Sequence, residues 1–361
     1  MICGFVAKTI DTGGAQKMMA FLINTLSSCA DKIYLFLEQQ QDTQYHLPNN
    51  AEIVLLKTTI KAGKVTHLKS IVSDLHNQII KYNLNSISAF GAYYSLAAVL
   101  AAKKTNAKII CSERRSPCNL SFVWRVLSRY AYKRCDKVVF QLEDAASFYR
   151  GINKENKAII PNPYLSDFEY VTPSAIKRRK VICLAAARLE YEKGFDLGLS
   201  ALKHVIEVHP EYDIYVYGCG DIHQYDSIMD EPCFAKHVIF KGLSQNIISD
   251  ILSCSVFVLP SRNEGIPNML LEAMGAGIPC VAFDCPPGGP KLLIGQNNER
   301  GLLVPAQNVS ELTKAVLMIL ENENLSNEIS NNAQLVKTIF EQSTIQKLWI
   351  DLFKKCIGNI K

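Results

Sequence analysis

The run Pro260-Ser261-Arg262-Asn263-Glu264-Gly265-Ile266-Pro267-Asn268-Met269-Leu270-Leu271-Glu272-Ala273-Met274-Gly275 follows an apolar segment at 256–259. The segment reads as a strand that ends at Pro260. The polar residues after it read as a loop, and a helix begins at Pro267 or Asn268, because proline near the first helical position has no N–H to lose there. The first amides of such a helix have no partner within it and suit a phosphate or a sugar hydroxyl. Glu264 lies in the loop and Glu272 about one turn into the helix, so both carboxylates can line one cleft and accept hydrogen bonds from hydroxyls. Taken alone, two such glutamates read first as a solvated loop residue and an ordinary helix-surface residue, and the neighbouring residues are what reverse that reading.

Strand–loop–helix units recur on both sides of this run. Expected strands are 2–7, 32–37, 53–56, 86–90, 108–112, 137–140 and 157–160, with helices at 15–28, 64–82, 93–105, 120–134 and 143–150 between them. Pro161-Asn162-Pro163 then interrupts regular structure, and the polar segment 166–180, ending Lys177-Arg178-Arg179-Lys180, reads as a solvated linker. Strands resume at 181–187, 213–217, 238–240, 256–259, 280–283 and 302–304, with helices at 195–208, 247–253, 268–274, 310–321 and 326–340. Alternation of this kind predicts parallel, doubly wound α/β sheets. The expected division is a first Rossmann-like domain over 1–165, a second over 166–343, and a closing helix within 344–361 that packs back on the first. Ligands of two such halves bind in the cleft at the carboxyl ends of both sheets.

Composition narrows the class. The chain has 361 residues, 48% hydrophobic and 20% charged, which suits two globular domains. No apolar run reaches the ~18 residues a spanning helix needs. The start, Met1-Ile2-Cys3-Gly4-Phe5-Val6-Ala7-Lys8, reads as a strand rather than a secretory leader. Twelve cysteines carry no Cys-x-x-Cys spacing, and several lie in apolar runs, as expected of buried thiols in the cytoplasm rather than of disulfides or zinc ligands. The first 172 residues carry 21 Lys and Arg against 13 Asp and Glu, a balance of +8, while the rest balances at −3. A basic first half suggests an anionic partner or membrane face.

Four further places could carry chemistry. Gly13-Gly14, between the first strand and first helix, lets backbone approach a phosphate, with the amides of Ala15 and Gln16 directed at it. Gly218, in Tyr217-Gly218-Cys219-Gly220-Asp221, lies at a strand end where a base or ribose could lie. Neither loop has the third glycine of a dinucleotide fingerprint, which argues against a nicotinamide enzyme. Arg188 and Lys193, on one loop after a strand, could grip a diphosphate, the arginine as a fork and the lysine as a point charge. They could equally pair with Glu190 and Glu192. On the helix expected over 119–133, Arg125, Arg129 and Lys133 share a face among Phe122, Trp124, Tyr130 and Tyr132, a mixture that suits an anionic membrane surface or a lipid diphosphate.

Glu264-x7-Glu272 with Gly265 and Pro267 inside it, Arg188-x4-Lys193-Gly194 upstream and Gly13-Gly14 near the start come in the order found in family-4, or group 1, retaining glycosyltransferases of the GT-B fold, which the chain resembles over nearly its whole length. Cys111-Ser112-Glu113-Arg114-Arg115-Ser116-Pro117 and Phe283-Asp284-Cys285-Pro286-Pro287-Gly288-Gly289-Pro290 look like segments of bacterial enzymes that build capsule, O-antigen or lipid-linked glycans. The resemblance implies that Glu264 holds the donor sugar and Glu272 the ribose, and that Arg188 and Lys193 bind the donor diphosphate. It implies that amides after Gly13-Gly14 and around Gly265, Ile266, Pro267 and Asn268 face phosphates or sugar. It implies no metal and no other cofactor, cations and helix ends standing in for a divalent ion. Many members carry an active-site histidine in the first domain, but between His76 and His204 this chain has none. Glu113 and Arg114 occupy that region and, with Arg125 and Arg129, are the acceptor-side candidates. The implied reaction moves a sugar from a UDP-sugar to a glycan on a polyprenyl diphosphate with retention, by an enzyme held peripherally at the cytoplasmic face of an anionic membrane. A GT-B nucleotide-sugar epimerase would share the fold and the donor but need no acceptor. A nucleic-acid-binding protein would explain the basic half but not the paired glutamates.

Overall fold

The computed structural model describes residues 1–11, 13–39, 45–59, 63–114, 116–165, 177–295 and 298–358. Thr12, Arg115 and residues 166–176 of the expected linker lie outside them. The chain divides into two compact units, Met1–Asn162 with Ser343–Lys361, and Pro163–Gln342.

In the first unit the elements are β1 (Ile2–Ala7), α1 (Gly14–Leu26), β2 (Lys32–Leu37), β3 (Ala51–Leu55), α2 (Lys64–Lys81), β4 (Ser86–Phe90), α3 (Gly91–Ala101), β5 (Lys108–Glu113), α4 (Phe122–Tyr132), β6 (Lys137–Phe140), α5 (Glu143–Phe148) and β7 (Lys157–Ile159). All seven strands run parallel, in the order β3-β2-β1-β4-β5-β6-β7. The order reverses between β1 and β4, the place where open α/β sheets bind ligands.

The second unit runs β8 (Arg179–Arg188), α6 (Phe195–Val208), β9 (Asp213–Cys219), α7 (Asp226–Met229), α8 (Pro232–Ala235), β10 (Val238–Gly242), α9 (Ile247–Ile251), β11 (Cys254–Leu259), α10 (Asn268–Gly275), β12 (Cys280–Asp284), α11 (Gly289–Ile294), β13 (Leu302–Pro305), α12 (Val309–Glu321), α13 (Glu323–Ala333) and α14 (Val336–Ile339). Its six parallel strands are ordered β10-β9-β8-β11-β12-β13, with the reversal between β8 and β11. The last helix, α15 (Gln342–Ile357), buries Ile345, Trp349, Leu352 and Phe353.

The α/β pattern holds, and most boundaries fall within two residues of those expected. Continuous apolar runs explain why: β8 is buried at every position from 181 to 185, and Ile182, Leu184, Val256, Val258, Leu199 and Leu202 meet in one core. Two helices differ. The one expected to reach 105 ends at Ala101, and Lys104 takes the left-handed φ of 62° that turns the chain away. The one expected over 326–340 starts earlier, where Asn322 accepts from the Leu325 amide at 3.0 Å, and breaks after Ala333. Asn331 and Asn332 precede the break, and asparagine competes for backbone partners and favours helix ends. The short helices α7, α8 and α11 had no pattern long enough to announce them.

The basic end of the expected linker is corrected. Arg179 and Lys180 already belong to β8. Arg178 is no solvated residue: its Nη1 donates to the Leu252 and Cys254 carbonyls at 3.0 and 3.1 Å, and its Nη2 to the Gly277 carbonyl at 2.6 Å and Ser330 Oγ at 2.9 Å. One guanidinium thus satisfies loop carbonyls that would otherwise be left open next to α9, α10 and α13. Burial pushes its pKa down.

All twelve cysteines are free thiols, seven of them buried. Among the described residues no helix is long and apolar enough to cross a membrane.

Candidate active site

Within the second unit, the loops that follow β8 and β11 leave the sheet where its strand order reverses. The quoted run forms the second of these loops and α10. Pro267 is the residue before the helix, with φ −74° and ψ 107°, and the helix begins at Asn268. The Leu271 amide bonds back to the Pro267 carbonyl at 3.0 Å, so the helix opens at the loop's end as expected.

The two loops are knitted by side chains. Lys193 Nζ lies 2.7 Å from Glu264 Oε1, and Ser261 Oγ donates to the same oxygen at 3.0 Å. The Glu264 side chain is 12% exposed and that of Lys193 29%, enough for a ligand to reach both. Arg262 forks onto Asp196, its Nη1 and Nη2 donating to the two carboxylate oxygens at 2.8 and 2.7 Å. It also donates to the Tyr191 carbonyl at 2.8 Å and lies 3.9 Å from the centre of the Tyr191 ring. This fork holds the Asp196 carboxyl below its usual range and raises the Arg262 guanidinium.

Close backbone approach completes the frame. A Cβ on Gly194 would come within 2.0 Å of the Pro260 carbonyl oxygen, and one on Gly289 within 1.4 Å of the Gly265 oxygen. Gly194 also has the left-handed φ of 64°. The Glu264 amide donates to the Pro286 carbonyl at 3.0 Å, which brings the 283–290 segment against the same loop. Burial, with the Glu264 charge adding to it, pushes the neighbouring Cys285 thiol up to about 12, so it stays protonated.

Arg188 stands at the exposed end of β8. Its guanidinium is paired with Glu190 at 3.2 Å and its side chain is 57% exposed. Gly218, at the end of β9, packs on this loop: a Cβ there would meet the Ala186 carbonyl at 2.8 Å and Leu189 at 2.9 Å. Glu272 is buried to 8% on α10, and Ile266 to 5%. Lys193, Glu264 and Gly265 are therefore drawn together, with Arg188 and Gly218 at the ends of the neighbouring strands β8 and β9. Ser261, Arg262 and Asp196 are the residues the sequence reading passed over. The signal was available, since Ser261-Arg262 lies inside the quoted run.

In the first unit Gly13 takes φ 125° ahead of α1, its carbonyl accepting from the Lys17 amide at 2.9 Å and from Tyr45 Oη at 3.4 Å. Gly14 is the first residue of that helix. The acceptor-side candidates are placed differently from one another. Glu113 is 2% exposed, and its carboxylate accepts from Tyr132 at 2.7 Å, Tyr149 at 3.2 Å and the Arg114 amide at 3.0 Å. Those bonds make it a core carboxylate that orders two tyrosines. Arg114 donates to Asn162 at 3.0 Å and its guanidinium lies between the Phe90 and Trp349 rings, at 5.3 and 5.2 Å. Arg125 turns back to the Leu120 and Cys118 carbonyls, and Arg129 to the Phe148 carbonyl at 3.1 Å.

Comparison with known proteins accords with this geometry. Residues 167–336 match the family model "Glycosyl transferases group 1". Over 98% of both chains the protein is 24% identical to a Campylobacter jejuni enzyme named GalNAc-alpha-(1->4)-GalNAc-alpha-(1->3)-diNAcBac-PP-undecaprenol alpha-1,4-N-acetyl-D-galactosaminyltransferase. It is 22% identical, over 94% of its own length and 95% of the other's, to the N,N'-diacetylbacillosaminyl-diphospho-undecaprenol alpha-1,3-N-acetylgalactosaminyltransferase of the same organism. Anabaena HepE in complex with UDP-glucose superposes with a TM-score of 0.82 at 18% identity, over 98% of this chain and 100% of that one. Residues 167–336 are a glycosyl transferases group 1 domain, and the chain that carries them is a glycosyltransferase enzyme of the GT-B fold.

Proposed function

We propose that this glycosyltransferase moves a hexose or N-acetylhexosamine from a UDP-sugar to a lipid-linked or polysaccharide acceptor in bacterial surface-glycan synthesis, with retention of configuration. The observation that carries the donor half is the meeting of Lys193 and Glu264 at the strand-order reversal, with Arg188 on the same loop as Lys193. A diphosphate entering there gains two cations, and Glu264 keeps an oxygen for sugar hydroxyls. Glu272, one turn into α10, is assigned to the ribose. Amides of Gly265, Ile266 and Asn268 around Pro267, and those after Gly13-Gly14, are assigned to phosphate and sugar oxygens. As the glycosidic bond to the donor breaks, negative charge grows on the departing diphosphate, and fixed cations and helix amides stabilise that charge. We assign these cations the task a divalent metal would otherwise serve, so the reaction proceeds without one.

The acceptor half rests on chemistry of the first unit and on the relatives named for undecaprenol-linked substrates. Phe122, Val123 and Val126 are 79, 60 and 51% exposed on α4, an apolar face of the kind that a lipid or membrane surface covers. Arg129 and Lys133 lie exposed on the same helix and its end. We place the enzyme peripherally at the cytoplasmic face of an anionic membrane, working on a polyprenyl-diphosphate-linked glycan. An epimerase would need neither acceptor nor apolar face, and the relatives are named for transfer. The test is incubation with a panel of UDP-sugars, with and without octyl glycosides as acceptors. A glycosylated product carrying the donor's anomeric configuration is expected, and a changed UDP-sugar without an acceptor product would favour the epimerase.

A further inference from the structure

Four elements of the first unit bring chemistry-bearing side chains to one place that the donor-side residues do not use. Glu38 follows the end of β2, His67 lies in the first turn of α2, Tyr93 and Tyr94 in the first turn of α3, and Trp124 in the first turn of α4. β2 and β4 flank β1, so the group gathers at the carboxyl end of the sheet, beside its strand-order reversal. The Glu38 side chain is 4% exposed. One of its oxygens accepts from the Tyr94 hydroxyl and the other lies 2.7 Å from His67 Nε2. On the far side of the imidazole, Tyr93 Oη lies 3.2 Å from Nδ1. The Tyr93 ring packs edge-on against Tyr94 at 5.2 Å and tilted against Trp124 at 5.5 Å between centroids.

The imidazole Nε2 lies at ion-pair distance from the Glu38 carboxylate without making an aligned hydrogen bond to it, so that contact acts through charge. Nδ1 and Tyr93 Oη share one hydrogen bond, which the phenol donates in the tautomer whose Nδ1 carries no proton. Burial, and after it the Glu38 charge, raise the Tyr93 phenol, so that group keeps its proton to give. Its own oxygen keeps lone-pair capacity to accept from a further donor. Tyr93 and Trp124 are both half-buried, neither closed off from solvent, and their rings lie side by side. A hydroxyl next to an apolar C–H face is the chemistry of a sugar ring, and it meets both features at once.

We propose that Tyr93 and Trp124, with His67 and Glu38 behind them, form the subsite for the acceptor's sugar. Tyr93 binds a sugar hydroxyl, and His67 and Glu38 are positioning residues that act through it. This assignment rests on the acceptor half of the function proposed above.

The chain has two tryptophans, and Trp349 is fully buried, so changes in emission on ligand binding report on Trp124. Octyl glucoside, octyl galactoside and their N-acetylamino forms are titrated into the full chain, and the same compounds serve as acceptors with the UDP-sugar that the wild type uses. The glycoside that is glycosylated is expected to change Trp124 emission, with a midpoint that matches its KM. Tyr93→Phe and His67→Gln are expected to raise that KM by about tenfold or more, while the affinity for UDP stays within about twofold. Should Tyr93→Phe melt early, Trp124→Ala at its half-exposed position gives the same KM readout. Wild-type acceptor KM in these variants overturns the subsite and leaves the donor assignment standing. If the wild type uses no UDP-sugar, the donor reading falls and the subsite falls with it.

Discussion

Lys193 Nζ and Glu264 Oε1 lie 2.7 Å apart and tie the loop after β8 to the loop after β11, across 71 residues of sequence. The proposed function gives this lysine the donor's diphosphate to hold and the carboxylate the donor's sugar. Lys193→Ala and Glu264→Ala should each lower turnover by about 100-fold or more, the usual effect of removing one group aimed at developing charge. Each loses one partly exposed ion pair, so the melting temperature should barely move. Steady-state transfer assays beside thermal melts check both halves.

Arg188 pairs with Glu190 at 3.2 Å on an exposed strand end. That pair adds little to stability. Arg188→Ala should leave the melting temperature unchanged and weaken UDP binding by about tenfold. Glu190→Gln removes the competing carboxylate and should tighten UDP binding. Calorimetric titration of UDP into the two variants gives opposite signs if Arg188 grips the diphosphate.

Asp196 is held below the usual carboxylate range, first by its hydrogen bonds from Arg262. A depressed folded-state pKa contributes stability above the unfolded value, about 3.9 for aspartate, and loses it as pH falls through the folded value. Asp196→Asn should therefore flatten the loss of melting temperature on acidification below about pH 4. Near neutral pH the wild type should be the more stable of the two. Melts across an acid pH series compare the slopes.

Gly289 meets the Gly265 oxygen so closely that a Cβ would sit 1.4 Å from it. Both partners are backbone, and neither can rotate away. Gly289→Ala should destabilise the second unit by about 2 kcal/mol or more and weaken UDP binding with it, because the displaced loop carries Glu264. Denaturant unfolding and UDP titration of this variant should change together.

Arg178 satisfies three carbonyls and one hydroxyl from within the second unit. Arg178→Met keeps much of the volume but leaves those acceptors without the guanidinium, and should cost about 3 kcal/mol with little change in the UDP affinity of the folded fraction. Denaturant midpoints measure it.

Much of the architecture was legible because parallel strands covered on both faces read as continuous apolar runs, as in 181–185 and 256–259. The loop placement of Glu264 and the start of α10 followed from Pro267 alone. Arg178 was not legible, because a basic residue among Lys177, Arg179 and Lys180 looks solvated unless the carbonyls that receive it are known. Glu113 looked like a strand-end charge for the same reason, since Tyr132 and Tyr149 reach it from 19 and 36 residues away. The Asp196–Arg262 fork spans 66 residues and has no local pattern. His67 was hidden in a polar helix start, and only the fold brings Glu38 and Tyr93 to it.

The donor assignment is tested most directly by calorimetric titration of UDP into the full chain and into Lys193→Ala. The account predicts one UDP bound by the wild type and an affinity lower by about tenfold or more in the variant, with the fold intact by thermal melt. Equal binding of UDP by the two proteins, or no binding by the wild type, would contradict it.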